Sequence, residues 1–408
     1  MIEVDWRKKV VYEIHDIPEL LSLRNHEITV FDYPEDSGNR WWFRKRLRES
    51  RAWNESRVQL ISSPVFSRNS IGRFLAAFVA MPTVWFLVGK LRPDVIVTYA
   101  VPTFGWQTAL VGRLRRVPVI YRAIDAVPYL RPGRNRWLVS VAEKLTCRVS
   151  SGISTHNRPL MIRCIDSGAK PEQCVINVPG VDRDRFFPGE CEFSLRSQLG
   201  FSSDDQVLVF MGTLFRFAQL DRLILNLMPA IRQNPRLKLL IIGDGEATSE
   251  LKSLINMECL DTQIVMVGMI AYDHLPSYLR LGSLGLLPFA SDTISHCALP
   301  QKVMQYLACG LPVVAIQLEG LVSVVPRNSG VIYTSTLDEL VFTALEIIGD
   351  TERLREEKNR AERFGDSELD WKPKIEQFEL MLHRFVDEAA SSHNRLTSVV
   401  HGVEDYNQ

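Results

Sequence analysis

Short apolar runs recur along the chain, separated by stretches with helical periodicity, and that alternation predicts a parallel α/β organisation. In the first part the strand-like runs are the stub Ile2–Val4, Glu27–Phe31, Pro93–Tyr99, Pro118–Tyr121, Gly152–Thr155 and Cys174–Val178. Helical patterns fall at about 9–23, 101–114 and 155–167. A second series begins afresh with Val207–Met211, Leu237–Ile242, Gln263–Val267, Ser283–Phe289, Val313–Ile316 and Val331–Tyr333. Runs such as Val313-Val-Ala-Ile316 are apolar at every position, the pattern of strands covered on both faces. Helices are predicted at Asp338–Gly349, Glu352–Phe364 and Trp371 to about Phe385, and from about Ala389 the sequence is polar, an end expected to fray.

The stretch Leu299–Ala315 has one residue that breaks the local rule. It reads as a helix with Pro300 at its first position and Gly310 just past its end, followed by a strand. Lys302 falls in the first turn, where the helix dipole disfavours a cation. A lysine beside free backbone N–H groups makes sense where an anion docks; a solvated lysine on an amphipathic helix is the plain alternative. Gln305, three residues on, shares the face of Lys302.

Composition and charge add three points. The seven cysteines are scattered, odd in number and without a C-x-x-C pair, which suits a reducing cytoplasm and argues against zinc or a disulfide framework. The opening residues carry no signal-peptide pattern. Net charge is zero, yet residues 1–180 hold 27 Lys+Arg against 16 Asp+Glu, a net of +11, and the remainder a net of −11. A basic first half points to an anionic partner, a membrane surface or nucleic acid. Residues 39–53 interleave Trp41, Trp42, Phe43 and Trp53 with Arg44, Lys45, Arg46 and Arg48, a composition suited to an anionic headgroup zone, a basic surface loop or nucleic-acid contact. Residues 74–88 are apolar almost throughout but too short to span a bilayer, and predict a buried helix, or one dipping into a leaflet.

Candidate chemistry collects at strand ends. Asp125 lies just beyond the carboxyl end of an apolar strand, where open α/β sheets place their ligands; a helix N-cap or an ion-paired loop carboxylate is the alternative. Gly212-Thr213, Gly243-Asp-Gly245 and Gly268 follow successive strands and, with the Lys302 helix, describe a crevice for a phosphorylated ligand. Asp273 is placed to cap a helix over His274–Arg280. Asp182-x-Asp184 invites a divalent-metal reading, but a linker with Gly180 as its hinge and Phe186-Phe187 as its anchor fits the segment better. The chain has no G-x-x-x-x-G-K-[ST] loop, no G-x-G-x-x-G after its first strand and no G-x-S-x-G elbow, which excludes P-loop chemistry and argues against dehydrogenase and hydrolase chemistry.

The ordered segments Pro179-Gly-Val-Asp182, Leu240-Ile-Ile-Gly-Asp-Gly245, Val267-Gly268, Leu287-Pro288-Phe289 and Lys302-x-x-Gln-Tyr-Leu-Ala-x-Gly-Leu-Pro-Val-Val314 resemble those of GT-B-fold glycosyltransferases, most strongly from about 175 to 315. Tyr121-Arg-Ala-Ile-Asp125 and the Lys302-x-x-Gln305 pair are similar to segments of the bacterial exopolysaccharide, xanthan-type glucuronosyltransferases. Retaining GT-B enzymes carry glutamates at the positions of Cys297 and Gln305, and Met269 stands where the glucuronosyltransferase has an acidic donor contact. The resemblance implies two Rossmann-like doubly wound domains with a donor cleft between them: residues 1–180 facing acceptor and membrane, 181–365 binding nucleotide-sugar, a helix over 366–388 packing back on the first domain, and a polar tail over 389–408. It implies an inverting, metal-independent transfer that needs no cofactor, from a UDP-sugar, UDP-glucuronate among the candidates, to a lipid-linked or polysaccharide acceptor. Asp125 would be the base and Lys302 the diphosphate contact. Gly212, Thr213, Leu214, Gly243, Met269, Phe289 and Gln305 would line the donor site, and Asp5 and Trp6 would face the acceptor. Trp41, Trp42, Arg44, Lys45, Arg46 and Arg48 would touch the inner face of the cell membrane, with no nucleic-acid partner. The rival readings are a nucleotide-sugar 2-epimerase of the same fold and a non-catalytic sugar-nucleotide-binding partner.

Overall fold

The structure is a computed structural model describing residues 1–404 except 9, 35–42, 65–69 and 127–135, with the backbone alone at 47, 70–74 and 392–404. It forms two compact units, Met1–Val178 with Pro373–Gln408, and Pro179–Lys372.

In the first unit β1 (Ile28–Asp32) pairs in parallel with β3 (Val58–Ser62), and β2 (Arg44–Glu49) runs antiparallel to β3 at the edge. A second sheet orders β4 (Ile96–Thr98), β5 (Val119–Ala123), β6 (Gly152–Thr155) and β7 (Cys174–Ile176), all parallel. The expected first strand is no formal strand, but its backbone joins the two sheets. Ile2 N–H donates to Phe31 O (3.0 Å), the Met1 amine to Val97 O (2.6 Å), and Tyr99 N–H to Met1 O (2.9 Å). The helices are α1 (Glu13–Leu23), α2 (Ser70–Leu91), α3 (Gly105–Arg115), α4 (Arg136–Val149) and α5 (Arg158–Asp166). β3 and α4 are additions to the sequence reading.

Two expectations change here. The basic segment at 39–53 is, over its described part, an edge strand: charged residues on β2 suit an unpaired edge, and Trp41 and Trp42 lie outside the described residues. Trp53 is tied down, its indole N–H donating to Asp16 Oδ1 (2.9 Å). The Glu19 carboxylate accepts the backbone N–H groups of Arg51, Ala52 and Trp53 at 2.6 to 2.9 Å. The apolar helix α2 is buried on one side only: Ala76, Ala80, Val84 and Leu87 enter the core while Phe78 and Phe86 remain 78% and 63% exposed. Among the described residues no helix is long and apolar enough to cross a membrane.

The second unit is a six-stranded parallel sheet ordered β10 (Ile264–Gly268), β9 (Leu237–Ile242), β8 (Gln206–Met211), β11 (Leu284–Leu287), β12 (Val313–Ile316) and β13 (Val331–Thr334). The chain runs outward from β8 to β10 and then returns to the other side of β8, so the strand order reverses between β8 and β11. Ligands bind at such switch points, beyond the strands' carboxyl ends.

The unit boundary lies at Lys372 rather than at 365 because the Thr351–Glu368 helix packs wholly on this second sheet's side. Arg183 pairs with Asp366, a Cβ on Gly365 would touch Leu307 O, and Val181 N–H donates to Leu369 O (2.6 Å). The terminal helix begins at Trp371 and continues to Glu404, where the sequence suggested a frayed tail from 389. Its Phe385 ring lies against Gly152, and Glu379 accepts from Arg24 Nε (2.8 Å) and pairs with His26 (2.5 Å), which docks it on the first unit.

Beneath the end of β5, the Arg122 guanidinium is fully buried. It donates to both Glu13 oxygens (2.9 and 2.8 Å) and to Ser154 Oγ (2.9 Å), which donates in turn to Asn177 Oδ1 (2.9 Å). Removing one charge from such a pair strands the other in a low dielectric. Glu13→Gln is therefore expected to destabilise the protein by about 3–5 kcal/mol. The thermal midpoint should fall clearly, and Glu13→Gln/Arg122→Met should recover more than half of the loss; a midpoint unchanged in the single variant contradicts the assignment.

Candidate functional site

Lys302 sits at the switch point of the second unit. Its helix is Gln301–Ala308, and Pro300 occupies the N-cap, one position earlier than the sequence suggested. Gly310, at φ 72°, ends the helix as expected: its N–H donates to Leu307 O (2.9 Å) and the Leu311 N–H to Tyr306 O (2.9 Å). That pairing is the left-handed glycine termination of a helix. Val303, Met304, Leu307 and Ala308 are buried, and the hydroxyl of buried Tyr306 accepts the Met211 N–H (2.6 Å), fixing the helix to the last residue of β8.

The lysine's surroundings explain its strangeness. Its Nζ lies 4.4 Å from the Phe210 ring centroid and 4.6 Å from that of Phe289. Two aromatic faces attract a cation, but they do not replace the water it gives up. Among the described residues no carboxylate lies within ion-pair distance of it. Desolvation accordingly pulls its pKa down from 10.5 to about 7. The ammonium fits only because Gly212 has no side chain: a Cβ there would collide with Nζ, and the backbone stands at φ 137°.

The loops after β8, β9 and β10 are laced together beside this cation. Gly212 N–H donates to Ile242 O (2.8 Å), and Gly243 N–H to Gly268 O (2.8 Å). Gly243, at φ 132°, is required for that approach, since a Cβ would strike Gly212 O. Leu214 N–H donates to Asp244 O (3.1 Å) and Leu214 O accepts from Ala247 (3.1 Å). The Asp244 carboxylate accepts from Gly245 N–H (2.8 Å) and from Thr248 Oγ1, which holds it below the usual aspartate range.

The predicted donor-side residues therefore fall into distinct places. Gly212, Gly243 and Phe289 surround or support the Lys302 ammonium. Gln305 is partly exposed on the same helix, Thr213 is exposed at the end of β8, and Met269 is 58% exposed beyond β10. Leu214 is fully buried, so its contribution is the backbone lacing. Asp273 is no cap: the helix starts at Leu275 behind a 3₁₀ turn, and Asp273 pairs with Arg185 Nε (3.1 Å). Asp182 and Asp184 form no ligand pair. Asp182 Oδ1 accepts the N–H groups of Asp184 (3.1 Å) and Arg185 (3.2 Å), and Oδ2 meets Arg185 Nη1 (3.2 Å), which is turn chemistry.

Sequence reasoning missed three neighbours. Phe217 packs edge-on against Phe289 (5.0 Å) and stacks with Phe215 (5.1 Å), leaving both outer rings about two-fifths exposed. His296 Nδ1 accepts from Glu319 N–H (3.2 Å), so its Nε2 carries the proton and donates to Ser291 Oγ (3.0 Å), fixing the turn before Lys302. Tyr306 is the third. The cluster Thr213-Leu-Phe-Arg-Phe217 was the available signal for the aromatic pair.

In the first unit Asp125 is partly buried two residues past β5, above the Arg122–Glu13 pair. The Tyr12 phenol is pushed up, chiefly by burial and then by the charges of Asp125 and Glu13, so Asp125 lies within electrostatic reach of Tyr12 at the head of α1. Asp5 and Trp6 are interior residues. Trp6 is 0% exposed, its ring 4.5 Å from His15, and its backbone N–H donates to Asp32 Oδ2 (3.1 Å); Asp5 Oδ1 accepts from the Arg7 backbone N–H (3.0 Å). On β2, Arg44, Lys45 and Arg48 are exposed, and Arg46 pairs with Glu49 (3.6 Å).

The chain's relatives are glycosyltransferases. Residues 13–180 match the family described as glycosyl transferase 4-like domain, and residues 205–350 match glycosyl transferases group 1. A D-inositol 3-phosphate glycosyltransferase of Kineococcus radiotolerans is 29% identical over 163 residues, 38% of this chain and 36% of that protein. An uncharacterized glycosyltransferase of Methanocaldococcus jannaschii is 22% identical over 56% of this chain and 55% of its own. The matches thus span between a third and just over half of these relatives. Among solved structures, Anabaena HepE in complex with UDP and glucose superposes with a TM-score of 0.70 at 18% identity, over 94% of this chain and 99% of that one. WaaG, a glycosyltransferase involved in lipopolysaccharide biosynthesis, gives 0.69 at 15%, over 93% and 99%. Each half of the chain thus matches a glycosyltransferase family model, and the whole shares the GT-B fold of those structures.

Proposed function

We propose that this protein transfers a sugar from a UDP-sugar to a hydroxyl of a lipid-linked or polysaccharide acceptor, with inversion and without a metal ion. The observation that carries the reading is the Lys302 ammonium held between the Phe210 and Phe289 rings at the β8–β11 switch point, where burial lowers its pKa to about 7 and a bound anion would raise it again. HepE, which holds UDP in its crystals, shares the fold and makes a nucleoside diphosphate the first anion to test.

In the proposed step the acceptor oxygen attacks the anomeric carbon. Its proton passes to the Asp125 carboxylate, the new C–O bond forms, and the bond from that carbon to the diphosphate oxygen breaks. Charge accumulates on the departing UDP, where Lys302 and the N–H groups opening its helix stabilise it. Gln305, on the Lys302 helix, would contact the donor, with Met269 on the β10 side. UDP-glucose and UDP-glucuronate are the donors to separate first, because the chain resembles glucuronosyltransferases yet has Met269 in place of an acidic contact. The lipid-linked acceptor follows from the +11 net charge of residues 1–180, which suits a protein working at the anionic inner face of the cell membrane.

Asp125→Asn should lower turnover by about 10²-fold or more while UDP binding stays within about twofold. Near-normal turnover would remove Asp125 from the role of base. UDP-sugar consumed without acceptor, giving an isomerised donor rather than free UDP, would instead favour epimerisation.

Binding of a diphosphate requires Lys302 in its charged form, so complex formation takes up a proton above pH 7. UDP affinity should fall as pH rises above about 7, by up to about tenfold per unit, and the dependence should vanish in Lys302→Met along with most of the affinity. Unfolding has the opposite sign. The unfolded lysine keeps its proton up to 10.5 whereas the folded one loses it near 7, so this group makes the unliganded protein more stable as pH rises through that window. Calorimetric titration and thermal unfolding at pH 6.5 to 9 check both slopes; a pH-independent UDP affinity in the parent protein refutes the mechanism.

A further inference from the structure

Among the described residues, the outer faces of α2 and α4 carry an exposed apolar surface. On α2 the exposed side chains Leu75, Phe78, Val79, Pro82, Trp85 and Phe86 recur at intervals of three and four, so they form one continuous stripe. On α4 the exposed apolar residues are Trp137, 63% exposed, with Leu138, Val141 and Leu145. The two helices flank α3. Gln107 Nε2 of α3 donates to Ala77 O of α2 (3.1 Å), and Gly105 of α3 approaches Thr146 of α4 so closely that a Cβ would stand 3.2 Å from its hydroxyl. Right-handed crossovers place all three on the same face of the sheet. Exposed patches of this size on a soluble domain mark an interaction site.

Charge identifies the occupant. The helices α2, α3 and α4 together contain a single acidic residue, Glu143, which is buried and paired with Arg163 (2.6 Å). Their basic residues border the apolar stripes. The Arg115 guanidinium lies 4.0 Å from the Trp85 ring and Lys90 lies 5.8 Å from that of Phe86; Arg136, Lys144 and Arg148 are exposed along α4. Aromatic rings with cations at their edge and no acid among them match the boundary between acyl chains and anionic headgroups. A protein partner fitting this surface would itself need a large apolar face ringed by acid, whereas an anionic bilayer supplies both at once.

We infer that the α2–α4 face is the surface by which the protein sits on an anionic bilayer, with Phe78, Phe86 and Trp137 entering the interface and the β2 cations assisting from outside it. Among the described residues no helix is long and apolar enough to cross a membrane, and a basic, aromatic-rich helix face of this kind suits the plane of the interface. The inference deepens the lipid-linked acceptor reading, on which its purpose rests, but membrane attachment is measured independently of catalysis.

The test is flotation of the full chain with vesicles of phosphatidylglycerol and phosphatidylcholine in equal parts, and of phosphatidylcholine alone. The parent protein should float with the mixed vesicles, less so as salt rises, and its tryptophan emission should shift to the blue. Phe78→Ser/Phe86→Ser should reduce partitioning by about tenfold or more, as should Trp137→Ser, while UDP still raises the thermal midpoint of each as in the parent. The triple change Arg44→Ala, Lys45→Ala and Arg48→Ala should weaken binding by a smaller factor. Flotation intact in the double phenylalanine variant overturns the inference, as does loss confined to the β2 triple variant. A parent protein that does not float, or a dimer by light scattering that the phenylalanine changes convert to monomer, overturns it too, the latter in favour of a second copy as occupant. Flotation without glycosyl transfer would leave the docking surface standing and remove the catalytic reading alone.

Discussion

An ammonium held between two aromatic rings, with no carboxylate in ion-pair distance among the described residues, is the constraint around which the second unit is arranged. Phe210 comes from β8 and Phe289 from the end of β11, so the cage exists only because those two strands are neighbours. Gly212 leaves the space, Gly243 lets the next loop approach, and Tyr306 ties the Lys302 helix to β8. Each of these features is costly or neutral for the unliganded fold: left-handed backbone at two glycines and a desolvated lysine do not stabilise it. They become intelligible together when a diphosphate completes the site.

The first unit solves a different problem. A buried arginine on β5 donates to Glu13 and Ser154, and Ser154 donates on to Asn177, so β5, the head of α1, β6 and the residue after β7 are linked two to three residues before Asp125 along the strand. The terminal helix adds to that lock by placing Phe378 beside the same guanidinium, 6.0 Å from its ring, and Phe385 against Gly152. Asp125, proposed as the base, would gain from such a platform, since proton transfer depends on position before it depends on pKa.

Much of this was readable from the residues, for reasons that differ by element. The strand Leu237–Ile242 falls where its apolar run lies, because a strand covered on both faces has no solvent side to interrupt it. Lys302 stood out because a cation in a first turn contradicts the helix dipole. The basic run of β2 is ambiguous in sequence, because an edge strand and a headgroup-binding segment carry the same arginines for different reasons. β3 and α4 were overlooked: Val58-Gln-Leu-Ile-Ser62 is short and mixed, and α4 exposes apolar residues that blur its periodicity. Trp6 was assigned to the acceptor side from its position after an apolar stub, whereas its burial is decided by Asp32 and His15, contacts that spacing does not encode. Phe217 and His296 are ordinary core and turn residues by sequence and become site neighbours only through packing.

Lys302, with its pKa lowered to about 7 by burial, is the group on which the proposed diphosphate contact depends. Titrating its side-chain nitrogen by NMR in 15N-lysine-labelled protein, with the signal assigned from Lys302→Arg, measures that state directly. The account predicts a midpoint near 7 for the protein alone and one raised by about a unit or more with UDP bound. A midpoint near the ordinary lysine value without ligand, or one that UDP leaves unmoved, would contradict it.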